Sequence, residues 1–286
     1  NNLCNSRMKK IVSFIFIILT CFHNIGFAEI IQTKDTKVVE NILTSIDTDT
    51  LVIFDVDDVL MYPDDKILRT QNADACKELV KQLKQRVGKD EIQDVTSIIL
   101  LARKNKPVDP KMINLIKTLQ TNNIKVLALT NCATGKFGLI PNTENWRISE
   151  LNSHGYYFYK SWPDLKDINL KPLMKDSSDA SPVYKEGVLF VDQKGKKGAV
   201  VDAFLTSVKI MPKRIVFIDD KSKNLESVAE FAKQNNIEFI GIEYTKALEE
   251  KEALNKNTVQ LQFEVLEKQK KWISDTEADK LLNSGY

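Results

Sequence analysis

The sequence predicts an α/β fold: a Rossmann-like open parallel sheet with helices on both faces, plus a small helical cap inserted after the first strand. Three observations predict it. Short apolar runs (51–54, 125–129, 187–191, 214–218 and 237–242) alternate with stretches whose apolar residues recur at helical spacing. Three of those runs stop in polar, chemically capable side chains, and an all-helical stretch separates the first run from the second.

The start of the chain reads as an export leader. Met8-Lys9-Lys10 is a basic opening, Ile11 to Phe22 is apolar, and Gly26-Phe27-Ala28 places small residues before Glu29. Residues 1–7, ahead of Met8, read as extra translated sequence. The apolar run is shorter than the roughly 20 residues a membrane span needs, so cleavage after residue 28 and no membrane contact thereafter are expected. The expected site of action is periplasmic or secreted, from a bacterium.

Beyond the leader, Val38, Val39, Ile42, Leu43 and Ile46 mark a helix that gives way at Asp47 to Asp49 to the strand Leu51-Val52-Ile53-Phe54. Residues 61–107 read as helical throughout. Ala73, Cys76, Leu79, Val80 and Leu83 form one stripe, Gly88 interrupts it, and Ile92, Val95, Ile98 and Ile99 form another. The core is therefore expected to comprise residues 29–60 and 108–286. Asp109-Pro110 opens a helix with Met112, Ile113, Ile116 and Leu119 on one face.

Strand 125–129 then ends at Thr130-Asn131, and the alternation continues with a helix over 146–151, Gly155 and aromatic Tyr156 to Tyr159. The polar stretch 160–185, with Pro163, Pro172 and Pro182, reads as a loop-like excursion. Strand 187–191 follows. Lys197 opens the helix carrying Val200, Val201, Phe204 and Val208, and strand 214–218 ends in Asp219-Asp220. Ser222 is expected to cap the next helix, 237–242 is the last strand, and the charged helical tail from Ala247 is expected to fold back on the core through Trp272, Leu281 and Leu282.

Composition excludes much chemistry. Removing residues 1–28 takes the formal net charge from +2 to −1, since Arg7, Lys9 and Lys10 leave, so no nucleic-acid partner is expected. His154 is then the one histidine, and Cys76 and Cys132 are the two cysteines, which either pair or stay free. Two-histidine metal sites, CxxC zinc frameworks, nucleophile elbows and P-loops are all excluded. Carboxylates, hydroxyls and lysine must carry any catalysis.

The first strand ends in Asp55-Val56-Asp57-Asp58. At an effective dielectric of about 20, two carboxylates roughly 4 Å apart repel by about 4 kcal/mol, so such a cluster needs a cation, a shared proton or a charged ligand. Asp58 is the one expected to serve the turn rather than the chemistry. Ligands of an open α/β sheet bind beyond the carboxyl ends of its strands, where Asp55 and Asp57, Thr130 and Asn131, and Asp219 and Asp220 are expected to converge.

Phe54-Asp-Val-Asp-Asp-Val-Leu60 resembles the first motif of the haloacid dehalogenase (HAD) superfamily, and Ala128-Leu-Thr-Asn131 resembles its second. Lys197-Gly198 before an apolar helix resembles its lysine motif, with Lys194 and Lys196 as neighbouring alternatives, and Val216 to Asn224 resembles its acidic fourth motif. The first motif, the stretch Trp146-Arg-Ile-Ser-Glu-Leu151 and the export context also resemble a subgroup of secreted bacterial HAD-like proteins.

The resemblance implies a phosphohydrolase working through an aspartyl-phosphate. Asp55 would be the nucleophile, Asp57 the acid and base, and Thr130 and Lys197 the partners of the phosphoryl oxygens, with Asn131 binding substrate. Mg²⁺ would be held by Asp55, the main-chain carbonyl of Asp57, Asp219 and Asp220, with Asn224 orienting those ligands. A cap gating the site implies a small phosphomonoester, with a phosphoprotein as the second substrate class. Two other readings stay open: a catalytically silent HAD-like binding or effector protein, and a receiver-like phosphoacceptor, which export and Asp57 disfavour.

Overall fold

The computed structural model describes residues 28–175, 179–249 and 253–285. The leader expected over residues 1–28 lies, Ala28 apart, outside the described residues. The sheet begins earlier than the apolar runs suggest, with β1 (Glu29–Thr33), a half-exposed strand ahead of α1 (Thr36–Leu43). Its core is β2 (Thr50–Phe54), β5 (Lys125–Thr130), β8 (Val188–Phe190), β9 (Arg214–Asp219) and β10 (Glu238–Tyr244).

Between them run α4 (Lys111–Thr121), α5 (Thr143–Ser153), α6 (Lys197–Val208) and α7 (Ser222–Gln234). The polar stretch 160–185 is not simply loop: β6 (Ile168–Asn169) and β7 (Val183–Lys185) extend the sheet antiparallel, giving the eight-stranded order β1-β10-β9-β2-β5-β8-β7-β6. All other pairings within this sheet are parallel.

Central strands buried on both faces need apolar side chains at every position, and β2, β5 and β9 supply them. Val52, Phe54, Val126, Ala128, Val216 and Ile218 face one layer with α1, α4 and α5. Their alternates Leu51, Ile53, Leu127, Leu129, Ile215 and Phe217 face α6 and α7 on the other. Tyr156 to Tyr159 do not form a strand; Phe158–Ser161 is a 3-10 turn whose Phe158 packs under the sheet. Ser222 does not cap α7 either: it is the first helical residue, and the N-cap is Lys221, without a side-chain bond.

Residues 61–107 leave and re-enter through a two-stranded antiparallel ribbon, β3 (Met61–Pro63) against β4 (Asn105–Pro107), so the stretch is not wholly helical. It holds two short 3-10 turns, α2 (Ala73–Val87) and α3 (Ile92–Ala102). The tail, α8 (Lys256–Gln269) and α9 (Asp275–Asn283), packs there rather than on the sheet. Ile67, Leu83, Val95 and Ile99 share one apolar cluster with Val259, Phe263, Leu266 and Trp272. Asp65 fastens the joint, accepting from the Trp272 indole and the Asp275 amide, both at 2.8 Å. Leu281 and Leu282 pack on α8. Among the described residues, no helix is long and apolar enough to cross a membrane.

Asp109 ties three elements together beside the α1 face. It accepts from the amide of Lys111, the first residue of α4 (3.0 Å; the N-cap itself is Pro110), accepts from Thr36 Oγ1 (2.6 Å), and pairs with Lys246 Nζ just beyond β10 (2.7 Å). Burial pushes its pKa up, but the bonds from Lys246, Thr36 and Lys111 outweigh that and leave it lowered. Asp109→Ala is expected to cost about 1–3 kcal/mol in urea unfolding at neutral pH. Because the folded-state value is the lower one, the part of that difference carried by the charge is full above the ordinary aspartate value of about 4 and is lost as pH falls through the lowered value. An equal gap between variant and parent at neutral and strongly acid pH would refute this role.

Candidate functional site

Register builds the site. Phe54 of β2 pairs with Ile218 of β9, and the Asp55 amide donates to the Ile218 carbonyl at 2.8 Å, so the next residues, Asp55 and Asp219, leave the sheet side by side. The chain runs from β2 outward to β5 and β8, then returns across the sheet to β9, so this pair of strand ends is the topological switch point, where open α/β sheets bind ligands.

Lys197, the first residue of α6, reaches both acids from the other face. Its Nζ is 2.7 Å from Asp55 Oδ1 and 2.7 Å from Asp219 Oδ2, with all three side chains nearly fully buried. Gly198 brings it there: a Cβ at that position would stand 2.0 Å from the Ser227 carbonyl of α7, so only a residue without a side chain allows this approach of the two helices. The Gly198 amide then donates to Ser227 Oγ at 3.0 Å. Asp219 also accepts from the Lys221 amide and from Asn224 Nδ2, each at 2.9 Å to Oδ1.

Charge in this pocket is unbalanced. Asp55, Asp219 and Asp220 each offer a carboxylate oxygen within 4.8 Å of the others. Burial and the neighbouring Asp219 and Asp220 drive the Asp55 pKa well up against the pull of Lys197. Burial alone would lower Lys197, yet Asp55 and Asp219 raise it. Asp220 is pushed up to about 6, chiefly by burial. Both its side-chain oxygens are buried without a hydrogen bond, although the Lys221 ammonium lies 3.3 Å from Oδ2. Unpartnered buried carboxylate oxygens are costly and rare. The donor set of hard oxygens, two of them without a hydrogen bond, is of the kind that could hold a divalent cation.

Thr130, fully buried, ends β5; Phe54 pairs with Ala128, which sets Thr130 level with the turn after Asp55. Asn131 is exposed beside a cavity of about 230 Å³, shared with Asp57, Leu100 of α3, Phe137, Trp146, Arg147 and Gln193. Asp58 serves the turn, as its neighbours dictate: its backbone is left-handed (φ 64°), its amide bonds the Met61 carbonyl, and its carboxylate accepts from Thr70 of the insert. Cys76 and Cys132 are both free and far apart in the fold, one on α2 and one beside the cavity.

Asp57 is placed apart from the Asp55 cluster. Its half-exposed carboxylate sits in the fork of Arg147, with both oxygens 3.1 Å from guanidinium nitrogens. Burial pushes its pKa up, but Arg147, helped by Arg103, Lys221 and Lys197, brings it below the ordinary value. The sequence alone does not mark Arg147 or Lys221 as a partner of the acids. The signal for Arg147 was its place three residues before Glu150, the spacing of a helical ion pair, and the structure forms that pair at 2.8 Å.

The family described as "Protein of unknown function (DUF2608)" matches residues 32–279. An uncharacterized protein of Rickettsia prowazekii is 25% identical over 281 residues, covering 97% of this chain and 99% of that one. An uncharacterized protein of Rickettsia bellii is 26% identical over 243 residues, 81% of this chain and 82% of its own. A Chlamydia pneumoniae protein bearing the name "Putative outer membrane protein" is 28% identical over 116 residues, 39% of this chain and 41% of its own. No solved structure matches the chain.

Lys197→Met would leave Asp55 and Asp219 buried without their shared cation. The expected loss is about 3–5 kcal/mol in urea unfolding, against less than about 0.5 kcal/mol for Lys194→Met, whose side chain is 69% exposed. Equal stability of the two variants would remove Lys197 from the centre of the site.

Proposed function

We propose that this chain, which belongs to the DUF2608 family, is an Mg²⁺-dependent phosphohydrolase of the HAD kind that cleaves a small phosphomonoester through a phosphorylated Asp55. The observation that carries the proposal is the buried Asp55–Lys197–Asp219 arrangement at the switch point, with the Asp220 carboxylate, whose oxygens accept no hydrogen bond, beside it. A structural ion pair needs one carboxylate for one ammonium; here two, Asp55 and Asp219, share Lys197, and a third, Asp220, gathers with them beside Lys221.

Lys197 holds Asp55 by Oδ1, which fixes the carboxylate's direction and leaves Oδ2 to attack phosphorus. The new Asp55 O–P bond forms as the ester P–O bond breaks, and Asp57, which must first take a proton from solvent against the hold of Arg147, passes that proton to the departing alkoxide. Asp57, now a carboxylate, takes a proton from water; the hydroxide oxygen bonds phosphorus, the acyl-phosphate bond breaks, and inorganic phosphate leaves with Asp55 restored. Lys197 and Thr130 stabilise the phosphoryl oxygens where charge is greatest. Asp55, Asp219, Asp220 and the Asp57 carbonyl would hold Mg²⁺, which supplies neutralisation of the phosphoryl charge.

The cavity of about 230 Å³, with Leu100 of the insert as one wall, suits a small leaving group better than a phosphoprotein. The same proposal sets the chain outside the cytoplasm, periplasmic or secreted, on the leader-like start and the name carried by the Chlamydia relative. One observation favours the rival reading of a silent binding protein: Asp57 is engaged by Arg147 at both oxygens.

Phosphate release from p-nitrophenyl phosphate, with and without Mg²⁺, separates the two. The expected result is metal-dependent turnover that falls by about 10³-fold or more in Asp55→Asn. No metal-dependent turnover on any ester of a small-phosphate panel would favour the binding protein. Independently of activity, Mg²⁺ at about 100 times its Kd is expected to stabilise the parent by about 2.7 kcal/mol and to leave Asp220→Asn unmoved. An equal thermal shift in both would take Asp220 out of the metal site.

A further inference from the structure

In the phosphohydrolase reading the alcohol departs beside Asp57, and Asp57 stands on the wall of the cavity of about 230 Å³. The chemistry of that cavity is mostly apolar. Leu100 of α3, Phe137 of the loop after β5 and Trp146 of α5 are its large uncharged side chains, each half-buried. Asp57 and Arg147 are the two charged side chains among its lining residues, and they neutralise one another through two contacts of 3.1 Å. Arg147 also gives Nη1 to Glu150 at 2.8 Å, and its Nε, which makes no hydrogen bond, is closed off from solvent. The Thr143 hydroxyl is spent on the Ala133 carbonyl at 2.6 Å, which leaves the exposed amides of Asn131 and Gln193 as the polar edge.

Two of the apolar walls come from different parts of the chain, insert and core, and are fastened to each other. The Leu139 amide donates to Ser97 Oγ of α3 at 2.9 Å, and that fully buried hydroxyl donates in turn to the Asp94 carbonyl at 2.6 Å. Gly138 between them has a left-handed backbone (φ 54°), and a Cβ there would stand 2.3 Å from the Gln93 carbonyl oxygen, so glycine is what lets the loop come this close to α3. Phe137 and Ile140 close the loop with reciprocal backbone bonds of 3.0 and 2.9 Å. Leu100 and Phe137 therefore face the cavity from one frame, and neither wall yields without the other.

Such a cavity selects by both size and polarity. It is smaller than the roughly 300–1,000 Å³ of sites that take drug-sized ligands, and equals about eight water volumes at about 30 Å³ each. A charged group entering it would lose water against Leu100, Phe137 and Trp146 and meet no unengaged opposite charge among the lining residues. Hydroxyls of a polyol would be left without partners on the same walls. An aromatic ring loses nothing there and gains edge or face contacts with Phe137 and Trp146.

We propose that the alcohol of the substrate is uncharged, apolar and about the size of one ring, and that Leu100 and Phe137 set this specificity. The proposal rests on the phosphohydrolase reading and names its substrate class: monophosphate esters of single-ring aryl or arylalkyl alcohols, in preference to phosphates of sugars and polyols or to esters carrying a second anionic group.

The test compares three esters whose alcohols all leave as alkoxides: benzyl phosphate, its 4-carboxy derivative and glycerol 1-phosphate. With Mg²⁺ present, kcat/KM of the parent is expected to be at least about tenfold higher on benzyl phosphate than on either of the others. Leu100→Lys puts an ammonium on a half-buried wall, and is expected to lower kcat/KM on benzyl phosphate and raise it on the 4-carboxy ester until their order reverses. Phe137→Ala is expected to lower kcat/KM on benzyl phosphate at least about tenfold and to leave glycerol 1-phosphate within about twofold. The parent and Phe137→Ala decide the matter should Leu100→Lys not fold.

Equal kcat/KM of the parent on the three esters, or a preference for either polar one, would overturn the assignment while leaving the phosphohydrolase reading intact. So would an active Leu100→Lys that keeps the parent's order, equal losses on benzyl and glycerol phosphates in Phe137→Ala, or a parent that turns over p-nitrophenyl phosphate but not benzyl phosphate. A parent silent on all four esters would overturn the phosphohydrolase reading and this assignment together.

Discussion

One ammonium group shared by two buried carboxylates is the constraint on which the centre of this molecule depends. Lys197 stands at the start of a helix, where the helix dipole repels a cation, and is buried at nearly every atom. Only the negative charge of Asp55 and Asp219 makes that placement tolerable. The two acids in turn stay together only because β2 and β9 are neighbours in register. Strand order, the close approach of α6 to α7 at Gly198 and the chemistry of the strand ends are thus parts of a single arrangement.

Much of that arrangement was legible in the sequence. Apolar runs that stop in Asp55, Thr130 and Asp219 locate the ends of three parallel strands, and burial on both faces explains why those runs read as continuous rather than alternating. Lys197 was distinguishable from Lys194 and Lys196 by its place at the start of the apolar helix, and it is Lys197 that reaches the acids. The turn role of Asp58 was also legible, because the chemistry needs no third catalytic acid there.

What was not legible depends on partners distant in sequence. β1 is a half-exposed edge strand with little apolar signal, and β3 and β4 are three residues each, too short to carry a period. β6 and β7 add to the sheet edge from a polar stretch in which prolines suggest only loop. The pairing of Asp57 with Arg147 spans 90 residues. Nothing local to either residue announces it, although the Arg147 and Glu150 spacing marks a charged helical face that needed a second acid.

The joint between insert and tail has a consequence for how the chain matures. Ile67, Leu83, Val95 and Ile99 emerge early in synthesis, but the residues that cover them, from Val259 to Trp272, come more than 150 positions later. Domains tend to assemble as units in the order they are made, and uncovered apolar surface invites aggregation meanwhile. In this protein the ribosome must deliver the chain as far as Trp272 before the wall of the cavity nearest Leu100 can rest on a finished support.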